Sequence, residues 1–239
     1  MSEKPFSLEF SKVTKTYSRS HLGRTTYSRG IVDLSLSIPE GESFGLLGLN
    51  GSGKTTTFKL ALGLLRATSG DVRVPDLSQV GFLPELPCFY SFLTPRESLR
   101  FYGRLSGLPE QAMAARIEEV LSLVGLSAQG DRRLGEFSKG MVQRVGLAQA
   151  ILHDPRLIIL DEPVSGLDPL AIKEFRDLLG TLREKGKTLV VSSHSISEVE
   201  KLCDRVGVLK EGRLARLIPH KEWDSAPEGL EGLFVETVR

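Results

Sequence analysis

Cysteine is scarce in this chain: Cys88 and Cys203 are the only two among 239 residues. Two thiols cannot build a zinc site alone, and a chain of this length buries a core without disulfide staples. Excess charge is missing as well, because 31 basic side chains against 30 acidic ones leave +1. That balance gives no electrostatic footprint for nucleic acid or an anionic membrane. Long apolar runs are also absent. Phe44 to Leu49 and Leu157 to Leu160 fall far short of the roughly 18 residues a spanning helix needs. Met1 to Pro5 holds no apolar leader core. Together these absences exclude secreted, collagen-like, disordered and membrane-spanning readings and point to a soluble intracellular protein.

What is present is a strand–helix pattern of ordinary globular composition, 40% hydrophobic and 26% charged. Leu8 to Val13 and Ile31 to Ile38 read as strands. The second alternates through Val32, Leu34, Leu36 and Ile38 and so has one solvated face. Phe44 to Leu47 is a buried strand, Lys54 to Leu65 a helix, and Val72 to Val74 and Val80 to Leu83 short strands. Thr94-Pro95-Arg96-Glu97 opens a helix with a capping box. Met113, Ile117, Val120, Leu121 and Val124 keep a helical period that Gly125 ends. Ser138 caps another helix, with Met141, Val145, Ala148 and Leu152 on one face. Leu157 to Leu160 is a buried strand, Asp168-Pro169 starts a helix to about Glu184, and Leu189 to Val191 is a strand. Ser195 to Glu198 reads as a second capping box. Val206 to Leu209 and Leu214 to Leu217 form a hairpin around Glu211-Gly212.

Gly48-Leu49-Asn50-Gly51-Ser52-Gly53-Lys54-Thr55 fits G-x-x-x-x-G-K-[ST], follows an apolar strand and opens a helix. Glycines let backbone N–H groups turn onto phosphate oxygens, and the helix N-terminus adds its positive end. Lys54 then reaches the β- and γ-phosphates, and Thr55, followed by Thr56, offers a hydroxyl to Mg²⁺. Leu157 to Leu160 ends in Asp161-Glu162. At the C-terminal edge of a parallel sheet these carboxylates face a phosphate loop. Asp161 would hold Mg²⁺ through water and Glu162 would polarise the attacking water.

At this point the chain resembles the ATP-binding subunit of ABC transporters, from about Phe6 to Arg216. Phe137-Ser138-Lys139-Gly140-Met141-Val142-Gln143-Arg144 resembles the family's signature, usually LSGGQ followed by x-Q-R. An SKGM signature is similar to the exporter branch that partners ABC-2-type permeases. Ser165-Gly166-Leu167-Asp168-Pro169 resembles the D-loop, and His194 after Ser193 the switch histidine. Tyr17 resembles the aromatic that stacks on adenine. Tyr27 is its rival, because Ser18 to Gly30 is longer than usual; Tyr17 is preferred since Val13 to Tyr17 ends a strand in the expected way. Three positions depart from the pattern: Lys139 replaces a glycine, Met141 a glutamine, and Glu85 stands where most members carry the Q-loop glutamine. The segment from Gly70 to Val80 is also short.

The resemblance implies an α/β P-loop ATPase with a mostly parallel sheet, an N-terminal antiparallel part and an inserted helical subdomain. As one ABC domain, its core covers about 1–85 and 153–212, the helical part about 86–152, and a short tail about 213–239. It implies ATP and Mg²⁺, with Thr55, Asp161 and Glu85 toward the metal and Glu162, His194 and Lys54 in catalysis. Tyr17, Gly48, Asn50, Gly51, Ser52, Gly53, Lys54, Thr55, Thr56 and Glu85 would touch the nucleotide of their own copy. Ser138 and Gly140 would reach that of a second, head-to-tail copy, and Asp168 in the D-loop would also contact nucleotide. A separate transmembrane permease would dock against Glu85 to Thr94, with Phe89, Tyr90 and Phe92, holding the chain on the inner face of the membrane. No nucleic acid partner is expected. A soluble ABC ATPase acting on DNA or ribosomes is the alternative, disfavoured by the single phosphate loop and the neutral charge. A Ras-type GTPase needs an N-K-x-D guanine reader, and the only asparagine is Asn50.

Overall fold

The computed structural model of the protein describes residues 6–21 and 24–239. Residues 1–5, to which the leader reading applies, and residues 22–23, within the long stretch after Tyr17, lie outside the described residues. The chain divides into two compact units. One joins the residues up to Pro75 with Thr188–Arg239, and the other is Asp76–Lys187.

In the first unit, β1 (Phe6–His21) and β2 (Arg24–Pro39) pair as one long antiparallel ribbon. The extra length after Tyr17 is therefore strand: Tyr17 pairs with Ser28 and Ser18 with Tyr27. The alternation expected on β2 is corrected at its first member. Asp33 adopts a left-handed φ of 52°, and the register shifts opposite it, between Val13 and Lys15. A bulge breaks the period of two, so Ile31 joins Leu34, Leu36 and Ile38 in the core while Val32 is half-buried. β4 (Ser69–Arg73) pairs with the other edge of β1, starting before the expected Val72.

The same unit holds a parallel set. β3 (Ser43–Gly48) lies between β7 (Thr188–Ser193) and β8 (Arg205–Lys210). Every residue of β3 and β7 is buried, as parallel strands covered on both faces require. β9 (Arg213–Pro219) returns antiparallel to β8 through Glu211 and Gly212, at φ 51° and 80°. Two left-handed residues are what a two-residue hairpin turn demands. α1 (Lys54–Ala61) stops short of the expected Leu65 because Gly63 turns left-handed at φ 67°, a common helix exit. α6 (Ile196–Leu202) lacks the expected capping box. The Ser195 N–H already donates to Ser193 Oγ at 2.9 Å, so no N–H remains there for Glu198. α7 (His220–Asp224) and α8 (Gly229–Val238) bury Trp223 and Leu230.

In the second unit, β5 (Val80–Leu83) pairs parallel with the fully buried β6 (Leu157–Asp161). α2 (Pro95–Leu105) starts on a complete capping box. The Thr94 N–H donates to Glu97 Oε2 at 2.9 Å and the Glu97 N–H to Thr94 Oγ1 at 3.2 Å; such a cap stabilises by about 1 kcal/mol. α3 (Glu110–Leu123) buries Met113, Ile117, Val120 and Leu121. α4 (Lys139–Ile151) meets β5 at backbone distance: a Cβ on Gly81 would lie 2.2 Å from the Ala150 carbonyl oxygen. α5 (Pro169–Glu184) buries Phe175, Leu179 and Leu182 from one face, each contributing roughly 1.5–3 kcal/mol. Among the described residues no helix is long and apolar enough to cross a membrane.

Candidate functional site

The phosphate loop leaves the end of β3 and enters α1 inside the first unit. Gly51 and Gly53 adopt φ of 79° and 112°, conformations that a side chain opposes. Gly48 is needed for space, since a Cβ there would lie 2.3 Å from Ser52 Oγ. Lys54 is 8% exposed, and its ammonium donates to the Gly48 carbonyl at 2.8 Å, curled back over the loop. Ser52 Oγ is buried without a hydrogen-bond partner. No side chain caps the start of α1, so its first N–H groups face the loop. An orphaned hydroxyl, a buried ammonium and uncapped N–H groups in one glycine-lined turn fit a polyphosphate. Asn50 and Thr55 are exposed at its rim and Thr56 is half-buried.

The loop is also held from outside its own sequence. The Gly212 N–H, in the β8–β9 turn, donates to the Ser52 carbonyl at 2.9 Å, and the Gly212 carbonyl accepts from Val32 N–H at 2.8 Å. Nothing near Gly48 to Thr55 in the sequence signals this buttress; only the hairpin turn itself is legible. Leu47 pairs with Ser193, so His194 leaves β7 beside the start of the phosphate loop, at the same C-terminal strand edge. His194 is exposed there.

The ribbon brings Tyr17, and not Tyr27, to α1. Tyr17 Oη lies 3.1 Å from Thr56 Oγ1, with Lys15 Nζ 5.5 Å from the ring centroid. Because Tyr17 pairs with Ser28 and Ser18 with Tyr27, the period of two puts the two tyrosines on opposite ribbon faces. Tyr17 is 36% exposed and Tyr27 73%. Gly30 makes room for the first: a Cβ there would lie 2.7 Å from Tyr17 Cε2.

The remaining expected residues lie in the second unit. Leu83 pairs with Leu160, so Glu85 and Glu162 both follow that pair by two residues at one strand edge. Asp161 is buried, and Glu162 sits at a left-handed φ of 48°, a strain that concentrates at functional sites. Glu85 Oε1 accepts from Ser165 Oγ at 3.4 Å. Ser138 Oγ caps α4 by accepting the Met141 N–H at 3.3 Å, and Asp168 caps α5 through the N–H groups of Leu170 and Ala171 at 3.1 and 3.0 Å. A cavity of about 490 Å³ opens between these two helix starts, lined by Ser138, Lys139, Gly140, Gly166 and Asp168 among others. The Ser165 hydroxyl and the space over Gly166 had no role in the sequence reading; the contacts that give them one join residues far apart in the chain.

A family model described as ABC transporter matches residues 31–165. The bacitracin transport ATP-binding protein BcrA of Bacillus licheniformis is 41% identical over 202 residues, 80% of this chain and 65% of that protein. The uncharacterized ABC transporter ATP-binding protein YhcH of Bacillus subtilis (strain 168) is 42% identical over 219 residues, 87% of this chain and 68% of its own. Three of the curated relatives are matched over only 65%, 61% and 57% of their own length. Among solved structures, an ATP-binding subunit of an ABC transporter superposes with a TM-score of 0.79 at 30% identity, covering 96% of this chain and 98% of that one. CbiO1 from Clostridium perfringens, part of the ABC transporter complex cbiONQ, gives 0.81 at 26% identity, covering 96% and 95%. With the phosphate loop, the acidic strand end and the capped signature helix in place, the chain belongs to the ABC transporter family, among its ATP-binding proteins.

Proposed function

We propose that this chain is the ATP-hydrolysing motor subunit of a membrane exporter, working as a pair of copies with a separate permease. The observation that carries the reading is the phosphate loop, where a buried ammonium and an orphaned hydroxyl line one glycine turn. Lys54 and the first N–H groups of α1 hold the phosphates. Tyr17 stacks on adenine from its place beside Thr56. Thr55 and Asp161, with Glu85 as a third candidate, would hold Mg²⁺, an ion that needs only one or two protein contacts beside a polyphosphate. When bound, the metal neutralises charge that develops on the transferred phosphoryl group. Glu162 accepts a proton from the attacking water, and His194 holds the γ-phosphate end. Ser138, Gly140 and Asp168 approach the nucleotide of the second copy, so that ATP joins the pair and its hydrolysis releases it.

Export is supported by the SKGM signature and by the resemblance to a bacitracin transport protein. A permease partner is supported by cbiO1, which belongs to a transporter complex, and by a patch after β5. There Leu86, Tyr90 and Phe92 are 70%, 60% and 66% exposed, a surface suited to a helix of the permease. Glu162→Gln tests the core of the reading. It should retain ATP, lose turnover, and shift from monomer to dimer on ATP addition by light scattering. Ser138→Arg should abolish the shift. Turnover by Glu162→Gln at the parent rate would remove Glu162 as the base.

A further inference from the structure

Glu85 and Lys139, the two charged residues among the departures from the family's motifs, reach the same short loop. Ser165 Oγ donates to Glu85 Oε1 at 3.4 Å. At the next residue, Gly166 holds φ at 67°, and a Cβ there would lie 2.5 Å from Lys139 Nζ. The ammonium thus occupies the space that a side chain at 166 would fill. The loop beneath them is two consecutive turns. The Ser165 N–H donates to the Glu162 carbonyl at 3.1 Å and the Leu167 N–H to the Val164 carbonyl at 3.2 Å. Its ends are fixed by buried β6 and by the Asp168 cap. Its middle meets Glu85 through the Ser165 hydroxyl and lies beside the Lys139 ammonium at Gly166.

We propose that Glu85 and Lys139 are a matched pair of positioning residues that hold Ser165 and Gly166 from two sides and thereby set where the Glu162 carboxylate stands. The charges of the two departures offset each other. A carboxylate at 85 in place of an amide strengthens the acceptor for Ser165 but adds a negative charge at the strand edge that already carries Asp161 and Glu162. An ammonium at 139 in place of glycine returns the balance from the other side of the loop. The common pair, glutamine and glycine, carries neither charge, so each substitution is compensated only in the presence of the other. Both contacts are solvent-exposed and individually weak. Their effect comes from sharing one loop.

The inference rests on Glu162 as the water-polarising residue, but its test does not depend on turnover alone. Hydrogen exchange at the Ser165 and Leu167 amides is measured on the full chain without nucleotide, for the parent, Glu85→Gln, Lys139→Gly and the double variant. Steady-state kcat and KM for ATP are measured on the same four proteins. Each single change should raise exchange at these amides about threefold or more and lower kcat about three- to tenfold, with KM held within about twofold. The double variant, which restores the common neutral pair, should return within about twofold of the parent in both readouts. Lys139→Arg should behave as the parent. Unchanged exchange in both single variants, or losses that simply add in the double variant, would overturn the pairing. If the parent turns over no ATP, the hydrolysis reading fails, and the exchange cycle still decides the pair.

Discussion

The phosphate loop and the loop from Glu162 to Asp168 are both turns at the end of a buried strand, yet they are held by different means. The phosphate loop is built from backbone. Its glycines set the path, Lys54 bonds a main-chain carbonyl, and Gly212 supports it through another. The acidic loop begins on a non-glycine residue at φ 48° and takes its middle contacts from exposed side chains, Glu85 and Lys139. Main-chain bonds to the buried Ser52 and Lys54 open only with the fold around them, whereas exposed side-chain contacts are worth little each and exchange readily. The grip on phosphate is therefore fixed before nucleotide arrives. The loop that carries Glu162 is the more adjustable of the two.

The contrast can be sharpened from its strongest consequence downward. Glu162→Gln should cut turnover by a hundredfold or more, on the order of general-base losses, while leaving thermal stability within about 0.5 kcal/mol, as for changes outside a packed core. Gly53→Ala strikes the other loop. Its φ is 112°, and the new Cβ would sit 2.6 Å from Ile31 Cδ1. Backbone strain and overpacking together should cost about 2–4 kcal/mol in a thermal melt. Gly140→Ala is the matching change in the signature. Its Cβ would meet Ala171 and Leu167 at ordinary distances of 3.7 and 3.9 Å, so it should melt within about 0.5 kcal/mol of the parent yet weaken ATP-dependent pairing by light scattering. Equal destabilisation by the two alanines would break the contrast.

Smaller effects test the remaining parts. Tyr17→Ala should raise KM for ATP about five- to tenfold, the scale of one base–aromatic stack, and Tyr27→Ala should leave it within about twofold. The reverse order would reinstate Tyr27. His153 tests whether the second unit's core is as fixed as the first unit's. Its Nε2 lies 3.1 Å from the Val80 carbonyl, its Nδ1 is buried without a partner, and burial pushes its pKa down. The unfolded chain, near the ordinary value of about 6.5, takes up a proton that the folded chain resists. This contribution to stability is present above that pH and lost as the pH falls from there toward the folded-state value. Between pH 7.5 and 5.5 the loss should be about 1 kcal/mol or less, and His153→Gln should flatten it. An unchanged slope would remove His153 as the source.

The phosphate loop was readable because all its requirements fall within eight consecutive residues. The acidic strand end was readable for the same reason, as were the capping box at Thr94 and the caps at Ser138 and Asp168. Readings failed where a distant or competing group entered. The capping box at Ser195 lost its N–H to Ser193, and the alternation on β2 lost its phase at Asp33. The preference for Tyr17 rested on a strand ending there, but β1 runs on to His21, and it is the ribbon's register that puts Tyr17 and Tyr27 on opposite faces.

The sequence by itself determined the local structure that would carry the chemistry: a glycine turn between a strand and a helix, a carboxylate pair at a strand end and a capped helix, each set by local dihedral preference and short-range hydrogen bonds. The tertiary structure alone decided which tyrosine lies on α1, that the β8–β9 turn supports the phosphate loop, and that Glu85 and Lys139 meet at Ser165 and Gly166. Those outcomes depend on strand register and on contacts such as that between Glu85 and Ser165, 80 residues apart. Only packing brings such residues together, because no local preference extends that far along the chain.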